Sequence, residues 1–533
     1  MLRLRTTVLA GLCCLLPASL LAQDATRLPD IGSSAAALIS PAQERAYARQ
    51  MLGEMRRYGL LLEDPLLAEW LQSLGHRLAA HSDRPEQPFS FFFVRSRDIN
   101  AFATLGGYIG MNAGLVLTAE TEDEVAAVLA HEISHATQRH IVRSVESAQR
   151  DSLPILLGML GALAAASASD SNSAGDASQA AIAGGLALMQ QRQINYTRAN
   201  EHEADRVGIQ ILARAGFEPV AMADFFSRMQ RATRSQGDAV PDFLRTHPVT
   251  TTRISEAKDR ARELSTQKAV PGELSKEPLN PALPGRLHES LQLAHGPDPL
   301  GFAFARERLR VFSARSPAEA AAEYQRRERA GEALSDAEQY GYALTLARTG
   351  ETQRALSLLE PLAAEHHDRF WIELARAEAL ERNGQRAAAD AAFGRLLDRQ
   401  PRQRAIAMSY ASLLAERGTR EAGLAAQAVL RPILGQSPYD PSLQEAFGRA
   451  CELAGDVSRA AEAFAEAAFL SGRAEDALNQ LRRLKERADV DYVQRARIDA
   501  RIAEMTPIVL ELRERGIRAG DRRGLSGERA SLR

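Results

Sequence analysis

The run His131-Glu132-Ile133-Ser134-His135 concentrates residues that can do chemistry. On a helix the two histidines stand four residues apart, so both imidazoles leave from one face and can grip a single metal ion. Glu132 sits beside the first of them, within reach of a water on that metal. Zinc acidifies such a water and a neighbouring carboxylate takes its proton, which is the chemistry of a hydrolase acting on peptide bonds. Two surface histidines on a helical turn would show the same spacing, so the surroundings must decide.

Those surroundings favour a site. Thr121 and Glu124 form a capping box, and Glu122 and Asp123 add acids to the first turn. Val125, Val128, Leu129 and Ile133 supply an apolar stripe, so the spacing predicts one helix from about 122 into the 140s. A catalytic zinc takes three protein ligands and keeps one position open. A third histidine in the pattern H-E-x-x-H-x-x-G-x-x-H is excluded, because Gln138 and Ile141 hold the Gly and His positions. A glutamate on a later helix is the other common solution. In Asn200-Glu201-His202-Glu203-Ala204-Asp205, Glu201 and Asp205 lie one turn apart on one face. Glu201 can bind the metal, and Asp205 can hold a ligand histidine or steady the transition state. His202 and Glu203 point elsewhere.

H-E-x-x-H followed by E-x-x-A-D-x-x-G (Glu201 to Gly208) resembles the peptidase family that contains the CAAX prenyl endopeptidases and the HtpX heat-shock protease. Asn100-Ala101-Phe102-Ala103, Gly106-Gly107-Tyr108-Ile109 and Gly114-Leu115 match the same family. Thr246-His247-Pro248 and Arg253-Ile254 match its soluble periplasmic branch. The resemblance covers about residues 40–265. It implies a zincin-type α+β metallopeptidase domain with a small sheet. One Zn2+ would sit on His131, His135 and Glu201, with Glu132 as general base and Asp205 as orienter or proton donor. It further implies that His247 is a fourth, regulatory ligand at rest, with Arg253 anchoring that segment or the ligand carboxylate. For substrates it implies unfolded or misassembled outer-membrane β-barrel proteins, with contact to the barrel assembly machinery and a chaperone-like role.

The elements that must position these residues are legible around them. Ser40-Pro41-Ala42-Gln43 caps a helix to about Tyr58, Leu66 to His81 reads as a second helix, and Phe91 to Val94 reads as a strand. Residues 101–117 read as a hairpin or paired strands, whose edge could hold an extended peptide by main-chain hydrogen bonds. Leu153–Ala166 and Ala180–Met189 are apolar runs too short to span a bilayer. They read as two buried helices joined by a loop, ahead of peripheral contact of 153–190 with a membrane or a cover over the cleft.

Arg3, Arg5 and the apolar run Val8–Leu21 ending at Ala22 read as a signal peptide over 1–22, followed by an N-terminal segment over 23–39, which directs the chain to the periplasm. Lys and Arg number 66 against 68 Asp and Glu; loss of Arg3 and Arg5 leaves 64 against 68, a net charge of −4. That balance suggests no nucleic-acid partner. Cys13 and Cys14 leave with the signal peptide, so Cys451 remains alone and no internal disulfide forms.

Prolines from Pro271 to Pro299 mark a linker over 266–300, with a short helix at 285–294. Beyond it the chain repeats. Gly350, Gly384, Gly418 and Gly455 are spaced 34, 34 and 37 residues apart. Small residues precede them (Ala343, Ala377, Ala411, Gly448) and follow them (Ala355, Ala389, Gly423, Ala460). The period resembles the tetratricopeptide repeat and predicts an α-helical solenoid over 301–510, with a polar tail over 511–533. The expected architecture is therefore mainly α: a metallopeptidase domain at 40–265, then a repeat array. Two other functions fit parts of this pattern: a repeat-domain chaperone or adaptor with secondary proteolysis, and a peptidase on cell-wall or lipid-linked substrates.

Overall fold

Capping chemistry starts the first elements of the computed structural model, which describes residues 39–148, 150, 155, 174–235, 241–267, 299–367 and 369–514. The signal peptide, most of the first apolar run, the linker helix at 285–294 and the tail from 515 lie outside the described residues. Ser40 and Gln43 close both halves of a capping box at helix α1 (Pro41–Arg57). Asp64 caps α2 (Pro65–Ala79), accepting from the Leu67 amide at 3.0 Å. Leu67, Leu71, Leu74 and Leu78 of α2 turn inward at helical spacing.

Strands β1 (Ser90–Val94), β2 (Ala101–Ala103) and β3 (Tyr108–Asn112) form one sheet in the order β1-β3-β2. β3 pairs parallel to β1 and antiparallel to β2, which leaves β2 at an edge. The expected pairing over 101–117 therefore ends at Asn112, and Ala113–Thr118 forms a short helix, α3. Ala113, Gly114, Leu115 and Val116 are all enclosed there, as Ile109 to Asn112 of β3 are. Gly114 also backs onto the Arg97 carbonyl so closely that a Cβ would sit 2.0 Å from it.

Helix α4 (Glu122–Thr137) carries the H-E-x-x-H run and is buried along nearly its whole length. It stops earlier than its apolar stripe predicts. Gln138 and Arg139 turn, Arg139 at φ 54°, and helical backbone resumes at 140. Arg139 is held there by an ion pair with Glu44 of α1. Glu201 and Asp205 ride on α5 (Ala174–Arg214), a single helix of 41 residues. The second apolar run, expected as a separate buried helix, is the first part of α5, and Ala183, Ala187 and Leu188 there are exposed. Among the described residues no helix is long and apolar enough to cross a membrane. Helices α6 (Ala221–Ser235), α7 (Asp242–Thr246) and α8 (Thr251–Gln267) complete this part. Its core joins Leu71, Phe91, Phe93, Ile109, Val125, Leu129, Ile211, Leu212, Phe225 and Phe226.

Helix α9 (Pro299–Ser313) serves two cores. Phe302, Ala305 and Leu309 join the first, while Phe304 and Val311 enter the next. After α10 (Pro317–Arg329), helices come in hairpins: α11 (Asp336–Thr349) with α12 (Thr352–Glu365), α13 (Phe370–Arg382) with α14 (Arg386–Arg399), α15 (Arg404–Glu416) with α16 (Arg420–Gln436), and α17 (Pro441–Ala454) with α18 (Val457–Leu470). The four periodic glycines occupy the four hairpin turns at φ 92°, 76°, 67° and 81°, a region that disfavours a side chain. The small residues flanking them are buried where the helices cross; a Cβ on Gly423 would lie 2.5 Å from the Ala454 amide. α19 (Ala474–Lys485) and α20 (Tyr492–Glu514) follow. Cys451 is buried among these helices, and burial pushes its thiol up to about 11, which fits a packed side chain.

The array is seated on α1 and α2. Gly53 of α1 meets the turn after α18, where a Cβ would lie 2.0 Å from the Ser471 carbonyl. Glu69 of α2 accepts from the Ala405 amide at 3.2 Å. The Arg308 guanidinium grips Asp64 with two bonds of 2.8 Å, and both residues are buried. Removing Asp64 leaves the buried Arg308 charge to the more distant Glu378 carboxylate, at 3.5 Å. Asp64→Ala is expected to lower stability by about 3–5 kcal/mol, measured as a shift in the denaturant midpoint of the full chain.

Candidate metal centre

The centre lies where α5 crosses α4. Gly208 permits the approach, since a Cβ there would stand 3.1 Å from the His131 amide nitrogen. The i, i+4 spacing on α4 sends His131 and His135 to one side, and α5 presents Glu201 to them. His247, the C-cap of α7, completes the group. The His131 and His135 Nε2 atoms are 3.0 Å apart. His131 Nε2 lies 3.3 Å from His247 Nδ1 and 3.4 Å from Glu201 Oε2. Glu201 Oε1 lies 3.0 Å from His247 Nδ1 and 3.4 Å from His135 Nε2.

Ligand atoms held at about 2.0–2.1 Å around a tetrahedral zinc lie roughly 3.3 Å from one another. The observed separations of 3.0–3.4 Å are of that size, with Glu201 turning Oε2 to His131 and Oε1 to His135 and His247. Unprotonated ring nitrogens this close, and buried, repel through their lone pairs unless a cation sits between them. Charge points the same way. Glu132, Glu201 and Asp205 bring three carboxylates against the Arg253 guanidinium, so the buried space keeps an excess of negative charge even with one imidazole protonated. The donor set and the charge both fit a divalent metal.

The surrounding groups brace these donors. Asp205 Oδ1 lies 3.0 Å from His131 Nδ1, although the nitrogen is not aligned for a hydrogen bond. Arg253 does both jobs its position suggested. It clamps Asp205 through Nε at 2.6 Å and Nη2 at 2.8 Å, and its Nη1 reaches Glu201 at 3.0 Å and the Pro248 carbonyl at 2.8 Å. Glu132 is buried, its Oε1 has no hydrogen-bond partner, and His247 Nε2 stands 3.5 Å from it. The His247 ring thus lies between Glu132 and the donor cluster. It stacks on Phe243, whose amide donates to the Ile99 carbonyl just before β2.

Burial resists charge here, and the partners overcome it. Burial raises the Glu201 carboxyl, but His131, His135 and His247 hold it far below the usual carboxylate range. Asp205 is likewise lowered against burial by Arg253 and His131. Burial lowers His131, yet Asp205 and Glu201 lift it to about 10.

One residue at the centre, His140, is not announced by the sequence. His140 Nδ1 lies 2.8 Å from His135 Nδ1, and His140 Nε2 lies 3.2 Å from Glu203. A helix read as unbroken places His140 about 140° around from His135, and neither Gly nor Pro announces the turn between them. Glu203 does point away from the donor cluster, as expected, but towards His140. His202 pairs with Glu256 at 3.1 Å, outside the centre.

Paired histidines and a glutamate from two crossing helices, beside a small mixed sheet, define a metallopeptidase. Peptidase family M48 matches residues 65–261, and the chain belongs to that family. A beta-barrel assembly-enhancing protease of Yersinia pestis is 32% identical over 483 residues, covering 90% of this chain and 91% of the relative. The protein of the same name in Escherichia coli is 37% identical over 243 residues, 46% of this chain and 49% of the relative, so that match spans about half its length. Mitochondrial metalloendopeptidase OMA1 of Schizosaccharomyces pombe is 30% identical over 192 residues, 36% of this chain and 52% of the relative.

With a pKa of about 10, His131 is an imidazolium at neutral pH when no metal is bound. A metal must displace that proton, so affinity is expected to rise with pH by up to about tenfold per unit. Zinc titrations by calorimetry, run at neutral pH in buffers of different ionisation enthalpy, are expected to show about one proton released by this group. Heats that do not depend on the buffer would contradict the assignment.

Proposed function

We propose that the chain is a periplasmic zinc endopeptidase that degrades misassembled outer-membrane β-barrel proteins or promotes their assembly. The observation that carries the enzymatic reading is the convergence of His131, His135, Glu201 and His247 beside an unpartnered Glu132 oxygen. The substrate class rests on the names of the relatives, and the location on the signal-peptide pattern in the first 22 residues.

In this reading His131, His135 and Glu201 hold the zinc. Bound zinc would supply Lewis acidity, acidifying water and polarising the scissile carbonyl. Glu132 takes the proton of the attacking water and passes it towards the leaving amine. Asp205 fixes the His131 ring while Arg253 neutralises it. The free edge of β2 lies beside α4 and can align an extended peptide by main-chain bonds, which demands little of its sequence. The helix-pair array, read as tetratricopeptide-like, supplies a surface for clients or for the barrel assembly machinery. The exposed first part of α5, with Leu188 and Ile194, is where a membrane or a client would touch.

His247 is the resting latch. Its ring fills the position that the attacking water needs, and Arg253 and Phe243 hold its segment. Three ligands with an open fourth position mark a catalytic site, and four closed ligands mark a resting one. His247→Ala is expected to leave zinc bound and raise turnover of an unfolded substrate by at least about tenfold, since an open minor state is populated at no more than about 10%. X-ray absorption is expected to show four protein ligands in the wild type. Three protein ligands there, together with unchanged turnover in the variant, would refute the latch.

Glu132→Gln keeps the shape but loses the base. It is expected to retain zinc and lower cleavage of unfolded casein by about 10²–10⁴-fold. Cleavage that survives in Glu132→Gln would overturn the mechanism. A variant that still supports barrel assembly in cells without cleavage would favour the chaperone reading of the array.

A further inference from the structure

His140 is buried five residues after His135 and ought to face away from it. The turn at Gln138 and Arg139 changes that. It swings the resumed helix so that the His140 ring stands edge-on to the His135 ring, with centroids 4.8 Å apart. His140 Nδ1 lies 2.8 Å from His135 Nδ1, and its other nitrogen lies 3.2 Å from Glu203 Oε2. Arg143 Nη1 holds the same carboxylate oxygen at 3.1 Å.

Hydrogen bookkeeping makes this arrangement directional. A neutral imidazole has one donor and one acceptor nitrogen. If His135 offers its Nε2 lone pair to the donor cluster, its hydrogen is on Nδ1. His140 must then accept that hydrogen on Nδ1 and carry its own on Nε2, facing Glu203. Each contact is satisfied once, and the chain ends on a carboxylate whose charge Arg143 balances. We infer that His140 and Glu203 are positioning residues that hold the His135 ring and fix its Nε2 as the ligand nitrogen. This rests on the reading of His135 as a zinc ligand. The backbone supports it independently: Arg139, the only non-glycine residue at positive φ among those described, makes the turn that places His140. A non-glycine residue in that conformation is strained and persists where the surrounding structure demands it.

The test is zinc affinity in the full-length protein, read by competition with a chromophoric chelator, together with the absorption spectrum of the cobalt-substituted site. His140→Leu is expected to weaken zinc binding about 10–100-fold, the usual effect of removing such a partner, and to alter the cobalt bands. His140→Gln should restore both to near wild type, because its amide oxygen can accept from His135 while its NH2 donates to Glu203. Wild-type affinity and spectrum in His140→Leu would overturn the relay. So would equal weakening in the Leu and Gln variants, which would show that packing rather than the hydrogen bond matters. Should His140→Leu fail to fold, the partly exposed Glu203 carries the test. Affinity is expected to fall in the order wild type, Glu203→Gln, Glu203→Ala, and equal affinities would overturn the proposal. His135→Ala separates the two levels: undiminished zinc binding there would remove the metal reading itself, whereas its loss beside a normal His140→Leu would remove the relay alone.

Discussion

Convergent lone pairs in a buried space are the constraint on which the rest of the architecture depends. Three imidazoles and a carboxylate point at one volume, with two further carboxylates behind them. Water would ordinarily solvate such groups, and burying them unpaired costs several kcal/mol each. The arrangement persists because each donor is fixed from behind and because a cation can balance the excess charge. That explains features distant from the chemistry: the glycine at the α4–α5 crossing, the enclosed length of α4, and the Arg253 clamp across Asp205, Glu201 and the Pro248 carbonyl.

What could be read from the sequence follows from how locally each feature is specified. The Ser40–Gln43 capping box, the H-E-x-x-H spacing and the E-x-x-A-D run are short-range patterns whose residues the structure brings together, whereas at Thr121 only the cap forms and the Glu124 carboxylate accepts from the Glu120 amide. The 34-residue glycine period is also local, since each turn needs a residue tolerant of positive φ, and the four glycines sit in four hairpin turns. Tertiary contacts decide what was misread. Ala113–Thr118 looks like a strand by composition and is a short helix, packed so closely that Gly114 backs onto the Arg97 carbonyl. The break after Thr137 is set by Arg139 meeting Glu44, a residue 95 positions earlier. No pattern inside α4 could announce it, so His140 stayed hidden.

The helix array and the peptidase part share material. α9 places one face in each core, and Arg308 on it is tied to the residue that caps α2. Glu69, one turn further along α2, accepts from the start of α15. Each of these ties meets the α1–α2 layer, whereas the metal ligands sit on α4, α5 and the α7 segment. α9 and α10 also touch the connection between β1 and β2, where Arg97 pairs with Glu323 at 2.7 Å and reaches the Arg310 carbonyl at 2.6 Å, so partner binding on the array has more than one route to the centre.

Helix α1 shows how close one such route comes. The family match begins at residue 65, beyond α1. Yet Glu44 of α1 makes two contacts with the site's scaffold. One oxygen pairs with Arg139, holding the strained turn that aims His140 at His135. The other accepts from the Gly106 amide at 3.3 Å, in the loop that joins edge strand β2 to β3. Gly106 is itself at φ 72°, and a Cβ there would crowd the α1 backbone at 3.0 Å. A single carboxylate thus ties the support of one ligand histidine to the strand edge where a peptide would lie. α1 also packs against the turn after α18, so one helix touches both the array and the scaffold of the site.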